Sequence, residues 1–281
     1  MNKHPILRAC WYAVNALLVV SFFCVLYSVG WEFSTRSYLK GFSDAIVTAS
    51  DGPEQKIESI LQWMAHGPAR RDVAVTSPLE LRNPEDTLNI QRLLEVCGTA
   101  TNAFVNLAQS SGLHARRLLL LDENGFSKHV VVEVLLDDRW IVVDPSYHFI
   151  PRRPDGQPLN RAELKDPATF RAAMQPIPNY PASYTYESTV HVRLTRIPWI
   201  GRPLRGIFNF IWPPWEEAIN WTLLVERESY AMLVASIFLF CFALAARFLL
   251  GWYFKRRLGI ARERLRDQIL RAGQVMVGSS Q

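Results

Sequence analysis

The chain has 281 residues and a formal net charge of +5, and 49% of its residues are hydrophobic. It is long enough for one sizeable domain with additional segments, and it can bury a hydrophobic core. The charge is unevenly placed, because residues 1–30 contribute +2 and residues 247–281 contribute +6, whereas residues 31–228 hold 21 basic and 24 acidic side chains. A nucleic-acid partner is therefore not expected, since the central region is slightly acidic.

Two long stretches of the chain are apolar. Residues 10–31 contain no charged side chain, and neither do residues 229–246. Arg247 follows, and another apolar run then continues to Phe254. A helix needs about 20 apolar residues to cross a bilayer, so the sequence predicts membrane spans at 10–31 and 229–254. The first stretch is longer than the apolar core of a secretory signal and has no good small-residue cleavage site, which favours an uncleaved anchor.

Basic residues flank both predicted spans on their outer sides. Basic flanks usually remain in the cytoplasm, so segment 1–9 and the tail 255–281 are predicted to be cytoplasmic, in a bacterial-type inner membrane. The region between the spans should then face the periplasm or another extracytoplasmic space. It divides into a linker at 32–50, a core at 51–150, and an extension at 151–228 that is rich in proline and ends in an interfacial segment rich in tryptophan.

The first element predicted in the core is a helix that begins near residue 51. Asp51 is suited to cap it, and Glu54 follows three residues later. Apolar residues then recur at helical spacing and predict a buried face. These residues are Ile57, Ile60, Leu61 and Met64.

A second helix is predicted over residues 96–110, ended by Ser111 and Gly112. Strands are predicted at 116–121, 129–136 and 139–144, and Asp137 and Asp138 form the tight turn of a hairpin between the last two. In the extension we expect a helical patch at 161–174, a strand at 189–195, and the interfacial segment at 206–225.

Three chemically active side chains fall at the ends of these elements. Cys97 is the only cysteine clearly outside the apolar stretches, and it begins the second helix, where free N–H groups stabilise a thiolate. His129 begins one hairpin strand and Asp144 ends the other. With the predicted turn, their side chains are diagonal neighbours on one face of the sheet. A nucleophilic thiol needs a base and a group that orients that base. Each residue alone would more often be structural.

Three segments of the chain carry a family resemblance. EVCGTATNAFVNLAQSSGLHARRL, KHVVVEV and DDRWIVVDPSYH together resemble the transglutaminase-like superfamily over about residues 52–148, in the order and spacing of their motifs. The family has a papain-like α+β fold, in which a helix carrying the cysteine packs on an antiparallel sheet; here two transmembrane helices would flank it. The matching residues beside Cys97 and His129 are Gly112, Ala115, Arg116, Trp140, Asp144 and Pro145.

The resemblance implies that Cys97 is the nucleophile, His129 the general base and Asp144 the acid that orients the imidazole. It also implies an oxyanion donor upstream of the cysteine, for which Gln91 and Asn89 are candidates, or a backbone N–H group. The expected reaction forms a thioester on the cysteine from an amide, peptide or ester, followed by hydrolysis or transfer to an amine.

The expected substrate is a peptide, a protein or a polymer of the cell envelope, and the other partners are the lipid bilayer and, as an open alternative, proteins within it. No cofactor is expected, and a metal site is not predicted because the region between the spans has one cysteine and no paired ligand spacing. The rival interpretation is a non-catalytic module that uses the same fold to bind or scaffold a membrane or envelope-polymer assembly.

Overall fold

The structure is a computed structural model that describes residues 5–72, 83–193, 199 and 201–257. It divides into two compact units. One unit combines the chain up to Val29 with the chain from Leu233 onward, and the other is the continuous stretch Gly30–Met232. All strands of the described region lie in the second unit.

Two long helices carry the apolar stretches. Helix α1 is Pro5–Ile46 and helix α10 is Glu228–Arg257. Both are long and apolar enough to cross a membrane, and most of their apolar side chains are not buried within the protein, which is consistent with membrane anchoring. Helix α1 continues through most of the stretch that the sequence assigned to a linker, and the predicted cytoplasmic tail lies largely outside the described residues.

Helix α2 is Pro53–His66 and buries Ile57, Ile60, Leu61 and Met64, as the helical spacing predicts. Its predicted cap is wrong. The N-cap position is Gly52, and the Asp51 carboxylate instead accepts a hydrogen bond from the backbone N–H of Thr48 at 2.9 Å. The proline that follows Gly52 presets the first helical turn, because its fixed φ suits that position.

Three helices lead into the sheet. Helices α3 (Pro84–Asn89) and α4 (Gln91–Leu94) are short, and α5 is Cys97–Ser110. The predicted second helix is therefore confirmed, with its first residue at Cys97. Gly112 follows α5 with a φ of 86°, a left-handed conformation that glycine adopts without steric cost and that commonly ends helices.

The sheet contains strands β1 (Ala115–Leu121), β2 (Ser127–Leu136), β3 (Arg139–Val143) and β4 (Thr189–Val190). They are antiparallel in the order β3-β2-β1-β4. The predicted hairpin register is confirmed where the ladder exists, from Leu136 opposite Arg139 to Val132 opposite Val143. Beyond Val143 the chain leaves the ladder, and Asp144 forms a bridge with Phe149.

Each face of the sheet supports its own hydrophobic core. On one face, α2 and α5 pack against residues that include Val132, Val134 and Val143. On the other, helix α6 (Pro167–Met174) and the buried ring of Tyr186 cover Leu118, Leu120 and Val131. The extension after residue 150 therefore covers one of the two faces of the sheet.

The extension differs in detail from its prediction. The helical patch at 161–174 consists of a 3-10 turn, Glu163–Lys165, and α6. The strand predicted at 189–195 is only the two residues of β4; residues 191–193 are not strand, and 194–195 lie outside the described residues. The interfacial segment predicted at 206–225 comprises α7 (Gly201–Ile211), α8 (Trp215–Ala218) and α9 (Thr222–Glu226).

Candidate active site

The N-terminus of α5 positions Cys97. Val96 is the N-cap residue, and no side chain from the described part of the chain caps the helix, so the first N–H groups remain available to the thiol. The Thr101 hydroxyl donates a hydrogen bond to the carbonyl oxygen of Val130 at 3.2 Å. This bond ties the first turns of α5 to strand β2 next to His129, and the half-buried Cys97 packs beside Val130 in a small apolar cluster.

His129 and Asp144 form a buried pair. The imidazole Nε2 lies 2.7 Å from Asp144 Oδ2, and the two residues are 2% and 0% exposed. The structure thus brings together the two side chains that the hairpin register predicted to be neighbours, although Asp144 has already left the ladder. Because a carboxylate only accepts hydrogen bonds, Nε2 carries the proton and Nδ1 is the ring atom that can act as the base.

Asp144 is held in place by several donors. Its Oδ1 accepts hydrogen bonds from the hydroxyl and backbone N–H of Ser146, at 2.8 and 3.2 Å, and from the backbone N–H of Tyr147 at 3.3 Å. Its Oδ2 accepts a second bond, from the Tyr180 hydroxyl at 3.0 Å. A carboxylate with this many hydrogen-bond donors is fixed in orientation.

The thiol of Cys97 interacts with the imidazole of His129. Burial raises the pKa of the thiol, but hydrogen bonding to His129, the charge of the ring, and the N–H groups of Val130 and Gly98 outweigh it, so the pKa is lowered. Among the described residues Nδ1 has no hydrogen-bond partner of standard geometry. The thiol contact is therefore looser than an ideal hydrogen bond.

The pKa of His129 is raised to about 9. Burial of the ring opposes the charged form, whereas hydrogen bonds to Asp144 and Cys97 and the charges of both partners favour it. A raised imidazole pKa together with a lowered thiol pKa favours transfer of the thiol proton to the imidazole, which would give a thiolate–imidazolium pair. This is the charge state in which a cysteine can attack a carbonyl carbon at neutral pH.

Tyrosines that the sequence did not single out surround the imidazole. The ring of Tyr184 stacks on His129 with centroids 4.3 Å apart and an angle of 6° between planes. Tyr147 and Tyr180 meet the imidazole edge-on at 5.9 and 6.4 Å. Burial and Asp144 raise the pKa of Tyr180, so its hydroxyl stays protonated as a donor. For Tyr180 and Tyr184 the sequence signal was the tyrosine spacing in NYPASYTYES, distant from the motifs, whereas Tyr147 lies within the motif segment DDRWIVVDPSYH.

The two oxyanion candidates differ in how their amide groups are used. Asn89 donates from Nδ2 to the Tyr38 hydroxyl at 2.9 Å and to the Glu85 carbonyl oxygen at 2.6 Å. Gln91 instead accepts at Oε1 from the Arg70 guanidinium at 3.2 Å, which leaves its Nε2 donor for other partners. The Arg70 guanidinium is held against the end of α2, because it donates a hydrogen bond to the Trp63 carbonyl oxygen at 2.7 Å.

Arg116 and Trp140, two of the motif residues, belong to a cluster that is separate from Cys97, His129 and Asp144. The Arg116 guanidinium lies 4.0 Å from the centre of the Trp140 ring and donates to the Glu133 carboxylate at 2.8 Å. Glu133 is also 2.8 Å from His191 Nε2. Burial raises the pKa of Glu133, but these partners outweigh it and lower the pKa. The cluster joins β1, β2 and β3 to the chain after β4, so it stabilises the sheet.

No group of three or more His, Cys, Asp or Glu side chains suited to a metal ion occurs within residues 5–72, 83–193 and 201–257. The model of the transglutaminase-like superfamily matches residues 40–145. No curated protein and no solved structure matches the chain. The matched segment contains α5 with Cys97, strands β1 to β3, and both members of the His129–Asp144 pair. Through this segment, the chain carries a transglutaminase-like domain of mixed helix and antiparallel sheet.

Proposed function

We propose that this protein is a membrane-anchored cysteine enzyme that forms a thioester on Cys97 and acts on an amide, peptide or ester bond in the cell envelope. The observation that carries the proposal is the triad geometry: a buried His129–Asp144 hydrogen bond of 2.7 Å beside a thiol whose pKa that imidazole lowers. The transglutaminase-like domain is consistent with such cysteine chemistry.

The first half of the reaction acylates the thiol. The Cys97 thiolate attacks the substrate carbonyl carbon, a C–S bond forms, and the carbonyl electrons move onto oxygen. As the tetrahedral intermediate collapses, the bond to the leaving group breaks and the His129 imidazolium gives its Nδ1 proton to that group. In the second half, water or an amine attacks the thioester while neutral Nδ1 takes a proton from it. The C–S bond then breaks and restores the thiolate.

Gln91 is the preferred oxyanion donor in this proposal. The Arg70 guanidinium holds Gln91 Oε1, so the amide plane is oriented and Nε2 can donate. Asn89 is the weaker candidate because its amide already donates to Tyr38 and Glu85. The backbone N–H groups at the start of α5 are a second source of hydrogen bonds for the developing negative charge.

The proposed location of the reaction rests on the two long apolar helices and on the charges beside them. Two helices of the described chain are long and apolar enough to cross a membrane. The basic flanks of the sequence favour a bacterial-type inner membrane, with both termini in the cytoplasm and the catalytic domain in the periplasm. A substrate in that space would be a peptide, a protein or an envelope polymer.

Alkylation of Cys97 by iodoacetamide across pH tests the proposed charge state. Because the thiol pKa is lowered, the rate should already be high near neutral pH and rise little above it. In His129→Ala the rate should follow the ordinary thiol ionisation, with a midpoint near ~8.5. The cysteines of the two apolar helices, Cys10, Cys24 and Cys241, are replaced by serine in both proteins. Identical pH profiles for both would contradict the thiolate–imidazolium pair.

Acylation itself is tested with p-nitrophenyl acetate. We expect an acetyl thioester on Cys97, detected by mass spectrometry and released by hydroxylamine, and none on the Cys97→Ser protein. A binding or scaffold module would behave differently: no thioester would form, and Cys97→Ser would complement loss of the gene as well as the parent does. Full complementation by Cys97→Ser would rule out the enzyme proposal.

A further inference from the structure

Helix α7 turns an apolar face toward solvent. Ile207, Phe210 and Ile211 lie on one side of the helix and are 53%, 89% and 71% exposed, and Trp212, directly after it, is 45% exposed. Surface helices of soluble proteins normally place polar or charged side chains at such positions. Several large apolar side chains grouped on one surface usually mark a contact with another protein or with a membrane.

The opposite side of α7 packs against the neighbouring helix α8. Phe208 packs against Trp215 with ring centroids 5.2 Å apart, and Asn209 Oδ1 accepts a hydrogen bond from Trp215 Nε1 at 2.8 Å. Trp215 is only 1% exposed, so this contact is buried. Arg205 also pairs with Glu216 at 3.7 Å. The apolar face therefore cannot be hidden by a simple rotation of the helix without losing these contacts.

The composition of this segment fits a lipid surface. Helix α7 contains two arginines and no acidic residue. Arg205 is paired with Glu216, which leaves the charge of the other arginine to suit anionic headgroups. Tryptophan, which prefers the headgroup level of a bilayer, precedes the helix at Trp199, 96% exposed, and follows it at Trp212. Soon after α7 the chain enters α10 at Glu228, which is long and apolar enough to cross a membrane.

We propose that α7 is an interfacial helix that lies in the plane of a bilayer containing anionic lipids. In this arrangement Ile207, Phe210 and Ile211 enter the boundary between headgroups and acyl chains, and Trp212 sits at the headgroup level. The proposal is independent of the acyl-transfer reaction, because it concerns only the face of α7 that points away from the domain. A second copy of the chain or another protein is the competing occupant.

An environment-sensitive fluorophore at residue 210 tests the proposal in the full-length chain. The four native cysteines are replaced by serine and Phe210→Cys is labelled with NBD, in nanodiscs of phosphatidylcholine and phosphatidylglycerol that hold one copy each. We expect a blue-shifted emission several-fold stronger than in water, quenched by lipids with a doxyl group near the headgroup. The matched control is Asn124→Cys in the exposed turn between β1 and β2, whose label should remain water-like.

The single-copy discs separate the outcomes. A water-like signal at residue 210 would overturn the proposal, as would a signal that becomes apolar only when several copies share a disc, because the face would then bind protein. Ile207→Cys, labelled in the same way, should give the same result as Phe210→Cys. Near-UV circular dichroism of each labelled protein must match the parent, so that a local loss of structure is not mistaken for lipid contact.

Discussion

Asp144 illustrates how much of the candidate site depends on single hydrogen bonds. Its Oδ2 accepts from both His129 and Tyr180, whereas its Oδ1 is satisfied by Ser146 and by backbone. The carboxylate is fully buried, and a buried charge is costly unless it is hydrogen-bonded. Loss of one donor therefore loosens the carboxylate, and with it the orientation of the imidazole.

Tyr180→Phe should lower kcat by about 10-fold and leave KM little changed, because a hydrogen bond to a charged group contributes about 1.5–3 kcal/mol and only part of this is expressed in the transition state. Tyr184→Phe is the matched control, because it keeps the ring stacked on His129. Equal kinetic effects of both changes would contradict the role assigned to the Tyr180 hydroxyl.

Gln91→Ala should lower kcat by about 10²–10³-fold, the usual cost of one oxyanion donor, with the alkylation rate of Cys97 unchanged. Arg70→Met should give a smaller loss, because it removes only the group that orients the Gln91 amide. Asn89→Ala serves as the control with little effect on kcat. Steady-state kinetics with p-nitrophenyl acetate measure all three. A larger loss for Asn89→Ala than for Gln91→Ala would reverse the assignment.

At the scale of elements, the β2–β3 hairpin depends on a strained two-residue turn. Asp137 and Asp138 have φ values of 43° and 64°, the left-handed conformations of a tight hairpin turn that matches the twist of the strands. Aspartate tolerates this conformation better than most residues, but glycine adopts it without steric cost. The turn sets the register that places His129 and Asp144 near each other at the other end of the hairpin.

Asp138→Gly should increase the free energy of unfolding by up to about 1 kcal/mol, because relief of the positive φ exceeds the extra chain entropy of glycine. Asp155→Gly is the control, since Asp155 has no positive φ, and it should be neutral or destabilising. Thermal unfolding of the detergent-solubilised protein, followed by circular dichroism, checks both. A lower melting temperature for Asp138→Gly would show that the turn is not strained.

Local patterns predicted α2, α5 and strands β1 to β3 well, but not the short helices α3 and α4. The helical spacing of Ile57 to Met64 and the strands flanking Asp137-Asp138 both appear as expected, because short-range periodicity records which face is buried. The predicted Asp51 cap is wrong because the Asp51 carboxylate accepts from the backbone N–H of Thr48, and such local bonds compete with helix capping. Tyr180 and Tyr184 could not be found, since their approach to His129 depends on how a long proline-rich segment returns to the sheet.

On the scale of the whole molecule, a buried polar network links the two ends of the unit Gly30–Met232. Arg227 donates to the Glu32 carboxylate at 3.1 Å and to Asn106 Oδ1 at 3.0 Å, and Ser229 donates to Glu32 at 2.7 Å. Asn106 lies on α5, the helix that begins at Cys97. The parts of α1 and α10 that belong to this unit are thus joined to the helix that carries the thiol.

Glu32→Gln should destabilise this unit by about 3–5 kcal/mol, because it leaves the Arg227 charge buried without its counterion. The double variant Glu32→Gln, Arg227→Met should recover most of that loss, since both charges are then gone. The exposed pair formed by Lys40 and Asp44 provides the control, and Asp44→Asn should cost less than about 1 kcal/mol. Additive losses in the double variant, measured by thermal unfolding, would show that Glu32 and Arg227 act independently.

The hydrogen bond from Tyr180 to Asp144 has a consequence for where this domain begins and ends as a folding unit. The family-matched segment stops at residue 145, before Tyr180, Tyr184 and the helix that covers the second sheet face. A fragment cut there would leave Leu118, Leu120 and Val131 facing water and would open Asp144 to solvent. The smallest autonomous piece therefore extends well past the recognisable motifs, and variation in the proline-rich extension can retune the proton affinity of His129 without altering any triad residue.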